Sequence, residues 1–405
     1  MEPSPRRWLM LLCYVGISSM NGLVWCTLTP ITEKAQEYYG ASANLINLFE
    51  ESYFIMYLPF APFASWALGR NYYWCMNIGW LITCIGCWIR YVAGPNFALA
   101  LIGQFLVASL NSMVLPGCST LAAKWFPPKE QLLATTIGSL SNFVGIGCGF
   151  VIPPYVNNVP VLMFAEALYA SLFLIINAVF SKKENINLEQ NFENFQESCK
   201  EALKDKKMLG IVLCSSSGVA VSYTVLGIMG QLLSTTGMRS VEVGWIGFSL
   251  VMTGMFGGLI ATCLVEKFKA ILKPLRVFLV LSIFSMIFWA ALIGTLLLAI
   301  IGSVFVGFSL VGFVPLGIRC AVEQNLRIEE SIPTNMIFFM AQILSLIYTY
   351  PVQYFSTFTH YTGLWVAAFL VLLSFGVFLW ISRTKPPKSC QWELLNEKEK
   401  NDPIK

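Results

Sequence analysis

Residues 181–207 read SKKENINLEQNFENFQESCKEALKDKK. This polar stretch interrupts a chain that is 56% hydrophobic and 12% charged. Within it Glu189, Glu193, Glu197, Lys200 and Lys204 recur at helical spacing, the pattern of a solvated, helix-prone connector. A bilayer-spanning helix needs roughly 20 mostly apolar residues. Six such runs precede the connector, at about 7–31, 45–69, 73–93, 97–120, 132–156 and 161–181. Six follow it, at about 208–233, 242–265, 274–293, 295–318, 332–356 and 362–382. The expected architecture is an all-α integral membrane protein of twelve transmembrane helices in two pseudosymmetric six-helix bundles. Its divisions are an N-terminal bundle over 1–181, a cytoplasmic linker over 182–207, a C-terminal bundle over 208–382 and a cytoplasmic tail over 383–405.

Composition supports that division. A soluble chain carries roughly twice this charged fraction, and a mean hydropathy of +0.67 leaves too few polar groups to cover a water-facing surface. A net charge of +4 carries no nucleic-acid signal. The run Trp8–Ile31 after Arg6-Arg7 is too long for a secretory signal core and reads as a first span. Placing the N-terminus in the cytoplasm puts all but Lys34, Arg90 and Arg239 of the 26 lysines and arginines on the cytoplasmic side, the bias of an inserted membrane protein. Both termini are then cytoplasmic, and the plasma membrane is the expected location. Most of the 12 cysteines lie in apolar runs and read as small hydrophobes. Cys84 and Cys87 form a C-x-x-C inside a span, with no second pair at metal spacing. No cofactor or metal is expected. The chain holds no G-x-S-x-G, phosphate loop or H-E-x-x-H, and its single histidine, His360, falls in a short outer loop, so no enzyme is expected.

Polar side chains at membrane depth are costly and each needs a reason. Asn21 and Trp25 share a face of helix 1, and Gln104 and Asn111 share a face of helix 4. Tyr223 and Gln231 stand in helix 7 and Gln342 in helix 11. Amides of this kind either tie helices together by hydrogen bonds or face a substrate. Trp25 and Tyr223 are either packing aromatics or a pair that holds an organic cation against its π faces. Arg90 closes helix 3 at the end where Glu50 and Glu51 open helix 2, so a pairing of Arg90 with one of them is expected. Glu166 has no evident partner, and a proton-coupling carboxylate is the rival reading for Glu51 or Glu166. Gly145, Gly147 and Gly149, followed by Pro153-Pro154, predict close helix approach and a bend in helix 5.

Several segments, in order and at matching spacing, resemble the feline leukaemia virus subgroup C receptor-related family of major facilitator transporters. They are Gly103-Gln104 leading to Leu121-Ala-Ala-Lys-Trp125-Phe126-Pro-Pro-Lys-Glu130, and Ser141-Asn142 through Gly145 and Gly149-Phe150 to Pro153-Pro154. Two more are Gly312-Phe-Val-Pro315-Leu-Gly317 with Ala321-Val-Glu323, and Asn335-Met-Ile-Phe338 with Ala341-Gln342. The resemblance covers nearly all of the membrane region. It implies a transporter of choline or ethanolamine, with haem export also proposed for the family. It implies a helix 1 tryptophan and a helix 7 tyrosine that cage the quaternary ammonium, matched here by Trp25 and Tyr223, and a helix 11 glutamine matched by Gln342. The polar contact of helix 4 is usually glutamine, and the matching residue is Asn111. The loop after helix 2 reads Leu68-Gly69-Arg70-Asn71-Tyr72-Tyr73 and lacks the usual acidic residue.

The expected function is facilitative transport of a small organic cation such as choline or ethanolamine by alternating access. The expected substrate residues are Trp25, Tyr223, Gln342, Asn111, Asn21, Gln104 and Gln231. Gly145, Gly149, Pro153, Pro154, Arg90 and Glu323 are expected to be structural or gating. The expected partners are a small-molecule substrate and the lipid bilayer, with no nucleic acid and a monomeric chain. Haem export is the alternative, though one outer-loop histidine offers little axial ligation. A non-transporting receptor is a third reading, against which the short outer loops argue.

Overall fold

In the computed structural model of the chain, residues 5–181, 200–234, 236–268, 272–324, 331–356, 358 and 362–382 are described. These residues form an all-helical membrane fold without strands. The long helices of the first half are α1 (Arg6–Cys26), α2 (Leu48–Arg70), α3 (Tyr72–Val92), α4 (Phe97–Trp125), α5 (Pro128–Val156) and α6 (Val159–Phe180). Those of the second half are α7 (Lys206–Gly227), α8 (Ser240–Phe268), α9 (Leu272–Leu292), α10 (Leu296–Gln324), α11 (Ser331–Ser356) and α12 (Thr362–Ser382). Ten long helical segments have the length and apolar character needed to cross a bilayer. The linker residues 182–199, Arg327, His360 and the tail 383–405 lie outside the described residues.

The ends of these helices follow local chemistry. Asn96, Asn158, Asp205 and Thr295 cap the starts of α4, α6, α7 and α10 with side-chain oxygens that accept backbone N–H groups. The run 7–31 does not continue as one helix. It stops at Cys26, and Pro30 starts a short 3₁₀ turn over Thr29–Ile31 that leads into a helix over Thr32–Tyr39. Helices α9 and α10 separate at Ile293–Thr295, where the two apolar runs nearly merge.

The fourth helix of each half is interrupted. In α4 the break falls at Ser109-Leu110, between Phe97–Ala108 and Asn111–Trp125. In α10 a π-helical turn occupies Gly307–Val311. There Gly257 and Gly312 bring α8 and α10 into backbone contact, since a Cβ on either would strike the chain of Phe308 or Gly257. Matching irregularities in corresponding helices are what a repeated fold produces.

Burial separates the central helices from the peripheral ones. In the most apolar window of α7, 83% of residues are buried, against 33% in α6 and α8. Helix α1 packs along α5 with glycines at the seam. A Cβ on Gly145 would collide with the Ser19 carbonyl, and one on Gly149 would lie 2.8 Å from the Leu23 carbonyl. Gly147 faces the other half, against Phe248 and Met252 of α8. Helix α5 runs as one helix to Val156, so Pro153 and Pro154 stand in its last turn and not at a mid-span bend. Asn157 then ends it in the left-handed conformation, at φ 48°.

Candidate substrate cavity

The two halves meet around a small buried cavity. Helix α1 contributes Asn21, Gly22 and Trp25, and α7 contributes Tyr223. Helix α2 adds Tyr53 and Phe54, α4 adds Asn111 and Leu115, α5 adds Asn142 and Ile146, and α11 adds Gln342. Asn111 reaches the cavity because it is the first residue after the break in α4.

Three aromatic rings converge on one side. Trp25 meets Tyr223 edge to face, with centroids 5.4 Å apart and planes at 70°. Phe54 lies 6.1 Å from Tyr223 and nearly parallel, at 10°. Trp25 and Phe54 are 6.2 Å apart at 63°. Two rings come from the first half and one from the second, so the cluster bridges the two halves. Rings at right angles and parallel rings leave π faces turned in different directions, which suits a cation more than a flat ligand.

The polar groups of the cavity are under-satisfied. Gln342 is fully buried, and neither its Nε2 nor its Oε1 has a hydrogen-bond partner. Trp25 Nε1 is buried without a partner as well. Each orphaned polar group costs about 1–3 kcal/mol, so an amide left bare on both atoms is free to take an external partner such as a ligand or water. Asn21 is tied down instead. Its Oδ1 accepts from Asn142 Nδ2 at 3.5 Å, and the same nitrogen donates to the Ser18 carbonyl at 3.0 Å. Tyr53 Oη donates to the Asn21 carbonyl at 3.1 Å.

Trp25, Tyr223, Gln342, Asn111 and Asn21 therefore line one cavity, and two of the expected substrate residues do not. Gln104 is fully buried within the first half and donates to the Phe49 carbonyl at 2.9 Å, which holds α4 to α2. Gln231 lies beyond the end of α7, in the short helix Met229–Ser234. There it accepts from Asn47 Nδ2 at 2.5 Å and donates to Asn44 Oδ1 at 2.9 Å, across the two halves. Phe54, Tyr53 and Asn142 were not expected in the cavity. An asparagine inside an apolar span was a signal for Asn142, whereas Phe54 looks like any lipid-facing aromatic until α2 is placed against α7.

Arg90 pairs with neither Glu50 nor Glu51. Its Nη1 donates to Glu166 Oε2 at 2.5 Å, both residues buried, and Thr27 donates to the other oxygen of Glu166. Helix α3 packs on α6 along this edge, which brings Arg90 to a residue far away in sequence. Glu51 instead accepts from Gln353 Nε2 of α11 at 2.9 Å, another bond between the halves. Glu323 pairs with Arg319 within α10 at 2.9 Å. The Cys84 and Cys87 thiols are free, and no cluster of metal-ligating side chains occurs among the described residues.

The contacts between halves concentrate at one face of the bundle, the face reached by the C-terminal end of α1. They include the amide chain Asn44–Gln231–Asn47 and the pair Glu51–Gln353. Thr29 also donates to the Gly227 carbonyl at 3.4 Å and lies against Gly230, where a Cβ would strike its carbonyl. This face is closed.

A polar and aromatic cavity between two six-helix halves, sealed at one face, defines the class as a secondary transporter. Residues 10–327 match the family model of the Major Facilitator Superfamily, and the chain belongs to that superfamily. Among curated relatives, an uncharacterized MFS-type transporter of Caenorhabditis elegans is 24% identical over 375 residues. That match takes in 85% of this chain but 64% of the relative, so the chain spans less than two thirds of that protein's length. The zebrafish choline/ethanolamine transporter flvcr2a is 24% identical, covering 85% of this chain and 79% of its own. The mouse choline/ethanolamine transporter FLVCR1 is 25% identical, covering 85% and 69%. Among solved structures, a D-xylose–proton symporter superposes with a TM-score of 0.74 at 11% identity, covering 94% of this chain and 98% of that one. An inward-facing bacterial homologue of the lysosomal transporter Spinster gives 0.70 at 12% identity, covering 94% and 98%.

Proposed function

We propose that the protein is a facilitative transporter of a small organic cation of the choline and ethanolamine class, working by alternating access. The observation that carries this reading is the meeting of Trp25, Phe54 and Tyr223 around a cavity in which Gln342 has both amide atoms unpartnered. A desolvated cation gains about 2 kcal/mol or more against an aromatic face. A hydroxyl on the same substrate both donates and accepts, which is what the Gln342 amide lacks. The lining holds no carboxylate, so the cation is bound without an ion pair that would slow release. Relatives named choline/ethanolamine transporters support the substrate class.

Uniport fits Glu166 better than proton coupling does. Glu166 is committed to Arg90 and Thr27, in the interior of the first half and away from the cavity. Asn111, with a side chain shorter than glutamine, sits where it sets the length of cation accepted. With both termini cytoplasmic, the orientation that the lysine and arginine bias favours, the closed face is the one turned away from the cytoplasm. Haem export is the weaker alternative: the lining contains no histidine, cysteine or methionine, and its two tyrosines are engaged elsewhere, Tyr53 with the Asn21 carbonyl and Tyr223 in the ring cluster. Uptake of labelled choline and ethanolamine by cells expressing the wild type tests the proposal. Uptake above the background of mock-transfected cells is expected, and none for either compound would overturn the substrate class.

A further inference from the structure

Glu50 lies on α2 one turn from Phe54, on the same face of the helix. Gly227 stands one turn from Tyr223 on α7. A Cβ on Gly227 would be 3.6 Å from that of Glu50. The Glu50 carboxyl therefore sits between the halves, one turn from the stacked Phe54 and Tyr223 rings and toward the closed face.

This carboxyl is poorly compensated. Glu50 is 1% exposed. Its Oε1 accepts from Thr29 Oγ1 at 2.7 Å, and its Oε2 has no partner. Arg90, the buried guanidinium of the same half, forms its ion pair with Glu166 through Nη1. A buried carboxylate with a single neutral donor and no ion-pair partner is poorly compensated, even with the Arg90 charge acting on it through space. A cation crossing between the closed face and the cavity would pass directly beside it.

We propose that Glu50 is a second station for the cationic substrate, on the path between the closed face and the aromatic cavity. The inference rests on the cation reading above and adds a residue outside the cavity lining. The two stations divide the task. The carboxylate attracts the cation over distance and offsets the loss of its hydration, and the π faces then hold it without an ion pair. Side chains one turn apart have Cβ atoms about 5–6 Å from each other, close enough to hand over an ammonium group without rehydrating it. Multiple weak sites along a path favour entry while still permitting exit, as in channels.

The test measures labelled choline uptake, and its inhibition by 3,3-dimethylbutan-1-ol, in wild type, Glu50→Gln and Glu50→Asp at matched surface expression. That alcohol has the shape of choline without its charge. Glutamine keeps an oxygen for Thr29 and removes the charge. The expected result is a roughly tenfold rise in the choline KM of Glu50→Gln, unchanged inhibition by the neutral alcohol, and a smaller rise for Glu50→Asp. An unchanged choline KM in Glu50→Gln overturns the station while leaving the substrate class standing, because the carboxyl then carries a proton or only seals the face. Equal losses for choline and the alcohol also overturn it, as a structural effect. Wild-type protein that moves no choline overturns the cation reading and the station together.

Discussion

On the proposed reading, Gln342 trades stability for a substrate contact. Its fully buried amide has no partner on either atom, a deficit that an apolar residue of similar volume removes. Gln342→Met is therefore expected to raise the melting temperature in detergent while lowering choline uptake at least tenfold. A fall in melting temperature would mean the amide is satisfied by the protein itself. Arg90 and Glu166 predict the opposite pattern. Removing either partner leaves a buried charge unpaired, so Arg90→Met is expected to cost about 3–5 kcal/mol and most of the surface expression. Adding Glu166→Leu to it should restore much of the loss, and a double variant no better expressed than the single one would contradict the pairing. At this scale the sequence told part of the story. That Trp25, Tyr223 and Gln342 line one cavity was legible because tryptophan, tyrosine and glutamine in matched spans fit a family pattern. The Arg90 partner was not, because α3–α6 packing and not sequence proximity chooses it.

Among the elements, the seam of α1 and α5 is set by glycine. Gly145 lets the backbone of α5 rest on that of Ser19, and a Cβ there has no space. Gly145→Val is expected to abolish folding, read as loss of the monodisperse peak in size-exclusion chromatography. A normal peak would show that α1 can retreat from α5. The seam was legible as a run of small residues, but the role of Pro153-Pro154 was not. Proline in an apolar span suggests a bend, and these two stand in the final turn, where Pro154 meets Gly244 of α8 at 3.2 Å from the Cβ position. Helix breaks without proline, at Ser109-Leu110 and at Gly307–Val311, leave no periodicity signal because both flanks remain apolar.

For the whole molecule, one closed face implies a second state in which that face opens. The closing contacts among the described residues are an amide chain, one carboxyl–amide bond and small residues rather than ion pairs, so they part at modest cost. Linking Asn47→Cys to Gln231→Cys with a short bifunctional thiol reagent is expected to stop uptake, and cleaving the linker should restore it. Uptake that survives linkage would mean this face need not open. Gly230→Val obstructs the approach of Thr29 and is expected to hold the face open, seen as increased labelling of a cysteine placed at Asn44. The two-bundle plan was legible from the polar stretch 181–207 and the six apolar runs on each side of it. Which face is closed was not, because packing between the halves decides it and no local pattern in the sequence records that packing. On the proposed reading Trp25 and Tyr223, one from each half, hold a cation against their π faces. Labelled choline uptake by wild type, Trp25→Ala and Tyr223→Ala at equal surface expression tests it most directly. Uptake by the wild type with at least a tenfold loss in each variant, equivalent to about 1.4 kcal/mol, is the predicted result, and uptake undiminished in either variant would contradict it.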